Sequence, residues 1–548
     1  MTTTIYTARR LITMNPRQPD AAAVAVKDGR ILGVGSVEDL LKWGPATVDE
    51  RFKDKVIMPG LIEGHCHLKE GGMWSWTYLG WFDRRDPSGH VWAGLKSMQA
   101  VVERLTQVDA EMTAKGIVAD QPLLAWGFDP IYFGGERMNV QHLSGIARPI
   151  VITHANGHLM NVNTTMLKMA DITAATDVEG VVKDAKGEPT GELQEPTAMH
   201  LVIRKVGNAG LLSPMDDAGM LNFSAIACMQ GVTTATDLVN DYSDSSYDLL
   251  ARATSRDDYR VRLYPAFRAF HGAAAAAKST ERVLDLMKRN TEKLRFGIIK
   301  LMLDGSIQGF SARMRWPGYF NGAPNGIWVM DPKQYEEDFE VYHRAGLQVH
   351  THTNADQASE AAIEAIEGVL TRSPRPDHRH TLQHAQMIDA AMFRKMAQLG
   401  LCANVFSNHI WYWGDQHYEM TMGPDRANRM NDARAALDCG VALAIHSDAP
   451  VTPLGPLFTA WCAVNRLTPS GRVLGPNHRI TVPEALHAIT MGAAWTLKAD
   501  HEIGSIEVGK RADFAVLEDD PLAIDPIKLK DVRVWGTVLS GQVFEAGH

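Results

Sequence analysis

Apolar, strand-like runs and helical segments alternate along the middle of the chain. Runs such as RFGIIKLML, GLQVHTHT, RHTLQHA, GLCANVF and GVALAIHSD have the length and apolar character of buried strands. Helical segments lie between them, for example PKQYEEDFEVYHRAG and ADQASEAAIEAIEGVL. Such a βαβα alternation predicts a parallel sheet. We therefore expect an α/β fold, and specifically a (β/α)8 barrel of the TIM type.

The two ends of the chain show another pattern, in which short β-rich runs are broken by Asp-Gly and Gly-x-Gly turns. TIYTARRLITM and AAAVAVKDGRILGVG lie near the start, and GKRADFAVLEDD and VRVWGTVLSGQVFE near the end. Chain ends often lie close together. We expect one composite β-domain from residues 1–58 and 481–548, flanking a barrel over residues 59–480. Two separate β-appendages are the alternative.

Residues 70 to about 225 do not fit a single βα unit, and we expect them to form an insertion, or lid, over the barrel mouth. The insertion contains the tryptophan-rich segment MWSWTYLGWFDRRDPSGHVW. Six tryptophans fall in predicted loops and would either wall an apolar pocket or form the core of the lid. They are Trp74, Trp76, Trp81, Trp126, Trp411 and Trp413.

Composition narrows the class of protein. The 548 residues are 45% apolar and carry a net charge of −9, which argues against a nucleic-acid surface and favours a soluble protein with small-molecule or protein partners. The five cysteines are scattered without a C-x-x-C pair, which fits a reducing compartment. The start lacks a secretory pattern, and no run of 18 apolar residues occurs. We expect a cytoplasmic protein with no membrane span, and a homo-oligomer with a dimer favoured.

The stretch KVIMPGLIEGHCHL contains the first candidate metal ligands. It is typical of a strand that follows a Pro-Gly turn, and side chains alternate between the two faces of a strand. His65 and His67 should therefore share one face, while Cys66 should pack against the helical layer. Two imidazoles on one face can bind a cation such as Zn²⁺. An H-x-H pair alone is more often a pair of surface or core histidines.

Further side chains of ligand type end the later strands. Lys300 lies in an apolar strand, where a buried ammonium group is costly unless it is paired or neutralised. A salt bridge to Asp304 is one solution, and carboxylation by CO₂ to a metal-bridging carbamate is another. Because the carboxyl ends of barrel strands build the active site, we expect these side chains to meet there: Lys300, His352 or His350, His384, Asn404 and Asp448.

The motifs PGLIEGHCH, KLMLDG, HTHTNAD, RHTLQHAQ and SDAPV occur in this order. Together they resemble the amidohydrolase superfamily, and more narrowly the amidohydrolase-3 type metal-dependent hydrolases that include N-substituted formamide deformylases. The closing segment EIGSIEVGKRADFAVLEDDP also matches, so the resemblance runs nearly from end to end. It implies a (β/α)8 barrel, a small β-sandwich built from both termini, and one or two zinc-like divalent metal ions.

The resemblance also implies roles for individual residues. It favours His352 over His350, because the family has a histidine four residues before an aspartate and Asp356 stands at that position. Lys300 matches a lysine that is often carboxylated, and Asp448 matches a ligand that also handles protons. The implied metal ligands are His65, His67, Lys300, His352, His384 and Asp448. The residues we expect near the substrate are Trp126, Asp129, His158 and Asp304.

The resulting hypothesis is hydrolysis of a C–N bond by metal-activated water. Asp448 would accept the proton of the water and pass it to the leaving nitrogen. The expected substrate is a small, partly apolar N-substituted amide or formamide. A cyclic-amide hydrolase or a deaminase is an alternative, but such deaminases carry His-x-x-Glu, and Ala355 stands third after His352. A catalytically dead structural or regulatory relative is the other alternative, although such proteins typically lose ligands.

Overall fold

A computed structural model describes residues 2–134, 136–206, 215–269 and 272–547. The chain divides into two compact units. The first combines Met1–His67 with Ser224–His548, and the second spans Leu68–Phe223. No helix in these described ranges is long and apolar enough to cross a membrane.

A parallel sheet forms the centre of the first unit. Each strand pairs in parallel with the next one along the chain, which gives the order β1 to β8 across the sheet among the described residues. This curled parallel sheet confirms the predicted α/β class. The strands are β1 (Leu61–Glu63), β2 (Val232–Asn240), β3 (Arg262–Arg268), β4 (Ile298–Met302), β5 (Gln348–Thr353), β6 (Thr381–His384), β7 (Cys402–Val405) and β8 (Ala442–Ile445).

Helices connect these strands, and local sequence signals fix where they begin and end. Asp331 caps the helix that starts at Pro332, and Asp389 caps the helix from Ala390 by accepting from the amide of Met392. Gly400 ends the latter helix in the left-handed conformation. The helices that follow β2 are Asp244–Thr254, Ala273–Met287, Pro332–Arg344, Asp356–Arg372, Ala390–Leu399, His409–Gln416, Gly423–Arg429, Ala433–Asp438, Pro456–Asn465, Val482–Ala488 and Met491–Thr496.

The segments that follow the two edge strands of this sheet are joined by backbone hydrogen bonds. The amide of Asp448 donates to the carbonyl of His65 at 3.1 Å, and the amide of His67 donates to the carbonyl of Ala449 at 2.7 Å. The loop after β8 is thereby held beside the loop after β1. Both histidines lie beyond the end of β1 at Glu63, rather than within a strand as predicted.

Strands from both chain ends form a second sheet in the first unit. Val56–Pro59 pairs antiparallel with Phe514–Leu517 and so joins the N-terminal strands to the C-terminal ones. Buried Phe52, Phe514 and Val538 belong to its apolar core. The other strands of this sheet are Thr3–Ile12, Asp20–Lys27, Arg30–Gly35, Ala46–Asp49, Val534–Leu539 and Gln542–Glu545, and the short helix Val37–Leu41 accompanies them.

The second unit contains its own mixed sheet. Its strands are Thr77–Tyr78, Leu123–Phe128, Ile150–His154, Leu159–Val162, Val181–Lys183 and Pro189–Gln194. A small ribbon pairs Arg84–Arg85 with Val91–Trp92. The helices are Lys69–Met73, Met98–Ala114, Thr164–Met169 and Glu195–Val206, and the helix Asp217–Met229 contains the boundary between the units. The role of these residues as a lid remains a prediction.

The placement of three tryptophans differs from the sequence prediction. Trp126 lies in the strand Leu123–Phe128, and Trp411 and Trp413 lie in the helix His409–Gln416. Apolar runs this short do not distinguish a loop from a buried strand or helix. Trp413 is buried beside His409, at 4.5 Å between ring centroids, and therefore serves the core of the first unit.

Candidate metal centre

Two imidazoles converge on one carboxylate beyond the carboxyl ends of β1 and β8. The Oδ1 atom of Asp448 lies 3.4 Å from Nε2 of His65 and 3.2 Å from Nε2 of His67. The three potential ligand atoms lie within 4.8 Å of one another. The structure thus brings together three of the predicted ligands, although Asp448 lies far along the chain from the two histidines.

A second group shares His65 and adds two more histidines. His65, His384 and His446 also present ligand atoms within 4.8 Å of one another. Nδ1 of His384 lies 3.7 Å from Oδ2 of Asp448, and the ring of His446 stacks on that of His65 with centroids 4.6 Å apart. The two groups therefore form one continuous cluster around Asp448.

Several polar atoms in or near this cluster are buried without a hydrogen bond. Within the described residues, Nζ of Lys300, Nδ1 of His384 and both ring nitrogens of His446 make no hydrogen bond. Leaving such groups unsatisfied is costly, and native proteins rarely do so without a ligand or water. Imidazole nitrogens and a carboxylate oxygen are the donors that Zn²⁺ and related divalent ions accept. The residues present therefore fit a divalent cation.

Burial controls the protonation of the cluster. It lowers the pKa of His65 well below its usual value, and nearby Lys300 adds to that shift. It lowers the pKa of His384 in the same way, and there His352 adds to the shift. Burial alone would raise the pKa of Asp448, but His67, His446 and Lys300 outweigh it and lower that pKa. Neutral imidazoles beside an ionised carboxylate are in the protonation state that metal binding requires.

Lys300 is the third residue of β4 and only 2% exposed. Burial lowers the pKa of its ammonium group to about 7, against the opposing effect of Asp448. A substantial fraction of this amine is therefore neutral near pH 7. The predicted alternative, a salt bridge to Asp304, does not occur among the described ion pairs.

Asp304 instead supports the turn after β5. Its carboxylate accepts hydrogen bonds from the backbone amides of Asn354 at 2.9 Å, Ala355 at 3.0 Å and Arg313 at 3.2 Å. It also lies 3.8 Å from Nε2 of His352. The amides of Asn354 and Ala355 fix the backbone that follows His352, and the amide of Arg313 joins a second loop to the same buried carboxylate.

The two histidines of β5 have different surroundings. Both ring nitrogens of His350 face protein groups. Its Nδ1 lies 2.8 Å from Nε2 of Gln383, and its Nε2 lies 3.1 Å from the carbonyl oxygen of Thr496. Nδ1 of His352 lies 2.8 Å from Nε2 of His384, and Nε2 of His352 lies 3.1 Å from Nδ2 of Asn354 and 3.3 Å from the carbonyl of Gly305. His352 is thus the one in contact with the cluster, and its role as a ligand remains a prediction.

Cys66 lies outside the cluster, as alternation between its two histidine neighbours predicts. Its Sγ donates to the carbonyl of Thr236 at 2.8 Å, and its amide approaches the hydroxyl of the same residue at 3.4 Å. Thr236 belongs to β2, so the thiol hydrogen-bonds to a neighbouring strand. Its packing against the helical layer remains a prediction.

Glu63 joins the two loops that carry the converging ligands. The carboxylate accepts from the hydroxyl of Ser447 at 2.7 Å and from the amides of Ser447 at 3.2 Å and His65 at 3.3 Å. Burial raises its pKa to about 8, although these hydrogen bonds oppose the shift. A buried acid between His65 and Asp448 therefore positions both candidate ligands.

Sequence reasoning missed His446, Asp237 and Gln383. His446 stands directly before Ser447 and Asp448, and a histidine that ends an apolar run is itself a sign of a buried imidazole. Asp237 of β2 lies 3.9 Å from Nδ1 of His67. Gln383 hydrogen-bonds to His65, but a neutral amide gives no metal-ligand signal in a sequence.

Three predicted substrate residues lie in the second unit. Trp126 is 1% exposed, and the Arg84 guanidinium lies 4.7 Å from its ring centroid. Asp129 caps the 3₁₀ turn Pro130–Phe133 by accepting from the amide of Ile131. Nδ1 of His158 lies 3.0 Å from a carboxylate oxygen of Glu195. These contacts fix their conformations, and contact with substrate remains a prediction.

A parallel α/β sheet with histidines and a carboxylate gathered beyond its strand ends is the arrangement of a metal-dependent hydrolase. The family model described as the amidohydrolase family matches residues 52–544. The chain therefore belongs to the amidohydrolase family and is an enzyme of the class that acts on C–N bonds other than peptide bonds.

Individual known proteins show the same relationship over most of their length. The chain is 28% identical to the protein LONG AFTER FAR-RED 3 of Arabidopsis thaliana, covering 94% of this chain and 86% of that protein. It is 25% identical to the N-substituted formamide deformylase of Arthrobacter pascens, covering 96% of both. An uncharacterized metal-dependent hydrolase from Pyrococcus horikoshii shares the fold, with a TM-score of 0.72, 18% identity and coverage of 96% and 99%.

Proposed function

We propose that this enzyme hydrolyses the C–N bond of a small, partly apolar N-substituted amide or formamide. The observation that carries the proposal is the convergence of His65 and His67 on Asp448, beside the buried amine of Lys300. A metal-dead relative would be expected to lack part of such a set. We propose a small-molecule partner and a homo-oligomeric, cytoplasmic enzyme, as the sequence suggests.

The proposed metal ligands are His65, His67, His384 and Asp448, with His352 and Lys300 completing the set if two ions bind. Zn²⁺ is the proposed ion because imidazoles predominate among the donors. A bound divalent cation supplies Lewis-acid chemistry, because it lowers the pKa of water and polarises a carbonyl group. We also propose that the amine of Lys300 adds to CO₂ and releases a proton, which would convert it into a carbamate.

Asp448 is the proposed proton carrier. Its Oδ1 faces His65 and His67, whereas its Oδ2 lies 3.7 Å from the nearest ring nitrogen of His384. The lowered pKa of Asp448 keeps the carboxylate ionised at neutral pH, so it can accept the proton of an attacking water. It would then deliver that proton to the leaving nitrogen as the C–N bond breaks.

The proposed architecture is a closed (β/α)8 barrel, with a β-sandwich from both termini and the second unit as an insertion. The hydrogen bonds between the loops after β1 and β8 support closure, because they join the two edges of the sheet. In such a barrel the active site lies at the carboxyl ends of the strands. The cluster around Asp448 lies at those ends.

The substrate proposal rests on the relative that is named an N-substituted formamide deformylase. We would screen N-formyl, N-acyl, carbamate and cyclic amide compounds with zinc-loaded protein and with protein stripped by a chelator. We expect hydrolysis of N-substituted formamides or amides that is lost on stripping and restored by zinc. The proposal would be abandoned if the loaded enzyme cleaved no C–N bond in any class.

Asp448→Asn tests the proton role, with Asp432→Asn as its matched control. Asp432 is also a buried aspartate of the first unit, but it caps the helix Ala433–Asp438 and pairs with His478 at 2.7 Å. We expect Asp448→Asn to lose at least about 100-fold in kcat, in line with general acid–base contributions. Asp432→Asn should keep its activity, since asparagine also caps helices.

A further inference from the structure

A buried chain of hydrogen bonds runs from the end of a helix to the candidate ligand His65. Thr496 ends the helix Met491–Thr496, and its carbonyl lies 3.1 Å from Nε2 of His350. Nδ1 of His350 lies 2.8 Å from Nε2 of Gln383, and Oε1 of Gln383 lies 2.7 Å from Nδ1 of His65. His350, Gln383 and His65 are each at most 2% exposed.

The polarity of this chain follows from its fixed end. A backbone carbonyl only accepts hydrogen bonds, so Nε2 of His350 must carry a proton. In a neutral imidazole the other nitrogen is then an acceptor, and Nδ1 of His350 must receive the amide group of Gln383. The oxygen of Gln383 therefore faces His65, and Nδ1 of His65 must donate to it.

Asn404 supports the same orientation from a second direction. Its Nδ2 donates to Oε1 of Gln383 at 2.9 Å. A reversed Gln383 amide would set its NH₂ group against this donor. It would also require His350 to carry protons on both nitrogens, because the carbonyl of Thr496 already requires one on Nε2.

We propose that Gln383, held by His350 and Asn404, is a positioning residue that fixes His65 as the Nδ1-protonated tautomer, so that its Nε2 lone pair points at Asp448 and His67. Nε2 of His65 is the nitrogen that lies 3.4 Å from Oδ1 of Asp448. Partners of this kind orient metal-binding histidines in many proteins, and they are more often carboxylates or carbonyls than amides. The inference rests on the proposed metal site, but the tautomer is a property of the metal-free chain.

The matched variants are Gln383→Met, Gln383→Glu and Gln348→Met. Gln383→Met removes the acceptor for His65, while Gln383→Glu keeps an acceptor for both His65 and Asn404 and loses only the donor to Nδ1 of His350. Gln348→Met is the control, because Gln348 is another buried glutamine of this sheet that donates two hydrogen bonds, to the carbonyls of Arg379 at 2.6 Å and Thr496 at 2.9 Å. It removes two hydrogen bonds of a buried amide, one of them to the carbonyl of Thr496, but it keeps the contact between that carbonyl and His350 and does not touch His65.

The first measurement is the ¹⁵N spectrum of histidine-labelled, metal-free protein, with the His65 signal assigned by its loss in His65→Gln. We expect a protonated Nδ1 and an unprotonated Nε2 in the wild type, in Gln348→Met and in Gln383→Glu, and a mixture of tautomers in Gln383→Met. A wild-type His65 with the proton on Nε2 would overturn the proposal. This outcome does not depend on whether the protein binds metal.

The second measurement is zinc affinity by competition with a chromophoric chelator. We expect Gln383→Met to bind zinc about 10- to 100-fold more weakly than the wild type. The zinc affinities of Gln383→Glu and Gln348→Met should be no more than about threefold weaker than that of the wild type. Equal loss in Gln383→Met and Gln383→Glu, or no loss in either, would contradict the positioning role. A wild type that binds no zinc would refute the proposed function but leave the tautomer result standing.

Discussion

Replacing Lys300 by methionine should stabilise the metal-free protein. The side chain of Lys300 is buried, and its pKa falls from 10.5 to about 7 on folding. A lysine whose folded pKa is lowered destabilises the fold at every pH below its unfolded value, because the unfolded chain binds the proton more tightly. Methionine has a similar length and carries no charge, so the substitution removes this penalty without a large cavity.

The magnitude follows from the two pKa values. With a folded pKa of about 7 and an unfolded pKa of 10.5, linkage gives a penalty of about 4 kcal/mol at pH 7 and about 2 kcal/mol at pH 9. The penalty is fully present below pH 7 and vanishes as the pH rises through 10.5. The free energy of unfolding of Lys300→Met should therefore exceed that of the wild type by about 4 kcal/mol at pH 7 and by about half of that at pH 9.

The assay is urea unfolding of chelator-treated wild type, Lys300→Met and the control Lys288→Met at both pH values. Lys288 is largely exposed, so its substitution should change the free energy of unfolding by less than about 0.5 kcal/mol. In excess zinc the order should reverse, since a ligand that binds only the folded state stabilises it and the variant lacks one proposed ligand. A metal-free Lys300→Met that is less stable than the wild type at both pH values would refute the reasoning.

Three further outcomes follow from the contacts around the site. Cys66→Ser should retain bound zinc, because the thiol donates a hydrogen bond to the carbonyl of Thr236 in β2, whereas His67→Ala should lose it; equal retention would count against the site. Asp304→Ala should lower the free energy of unfolding by about 3 kcal/mol or more through three unpaired amides, and a raised KM at unchanged stability would contradict this. Burial lowers the pKa of His154 to about 4, so stability is lost as the pH falls from 6.5 toward 4. Between pH 7.5 and pH 5 the free energy of unfolding should therefore fall by about 2 kcal/mol less in His154→Phe than in the wild type. The same fall in both proteins would disprove this prediction.

The central sheet was accessible from sequence because a buried parallel strand is a nearly continuous apolar run. The runs around Lys300 and before Asp448 have this character, and both became strands of one sheet. His65 and His67 were also expected to lie on one side, but the reason for that expectation, alternation of side chains along a strand, does not apply. They follow β1 rather than lie in it, and the bonds to the loop after β8 hold them.

The parts that sequence reasoning missed depend on backbone geometry beyond the strand ends. His384 and Asp448 adopt positive φ angles of 68° and 54°, so alternation along a strand does not predict where they or His446 point. The role of Gln383 depends on a contact across 318 positions of the chain. A pattern in one sequence contains no record of such a pair.

The most direct test of the metal centre is anomalous diffraction at the zinc absorption edge from crystals of the zinc-loaded enzyme. We predict the strongest peak at the position enclosed by Nε2 of His65, Nε2 of His67 and the carboxylate of Asp448. A strongest peak at any other group of side chains, or no peak in zinc-loaded crystals, would contradict the account.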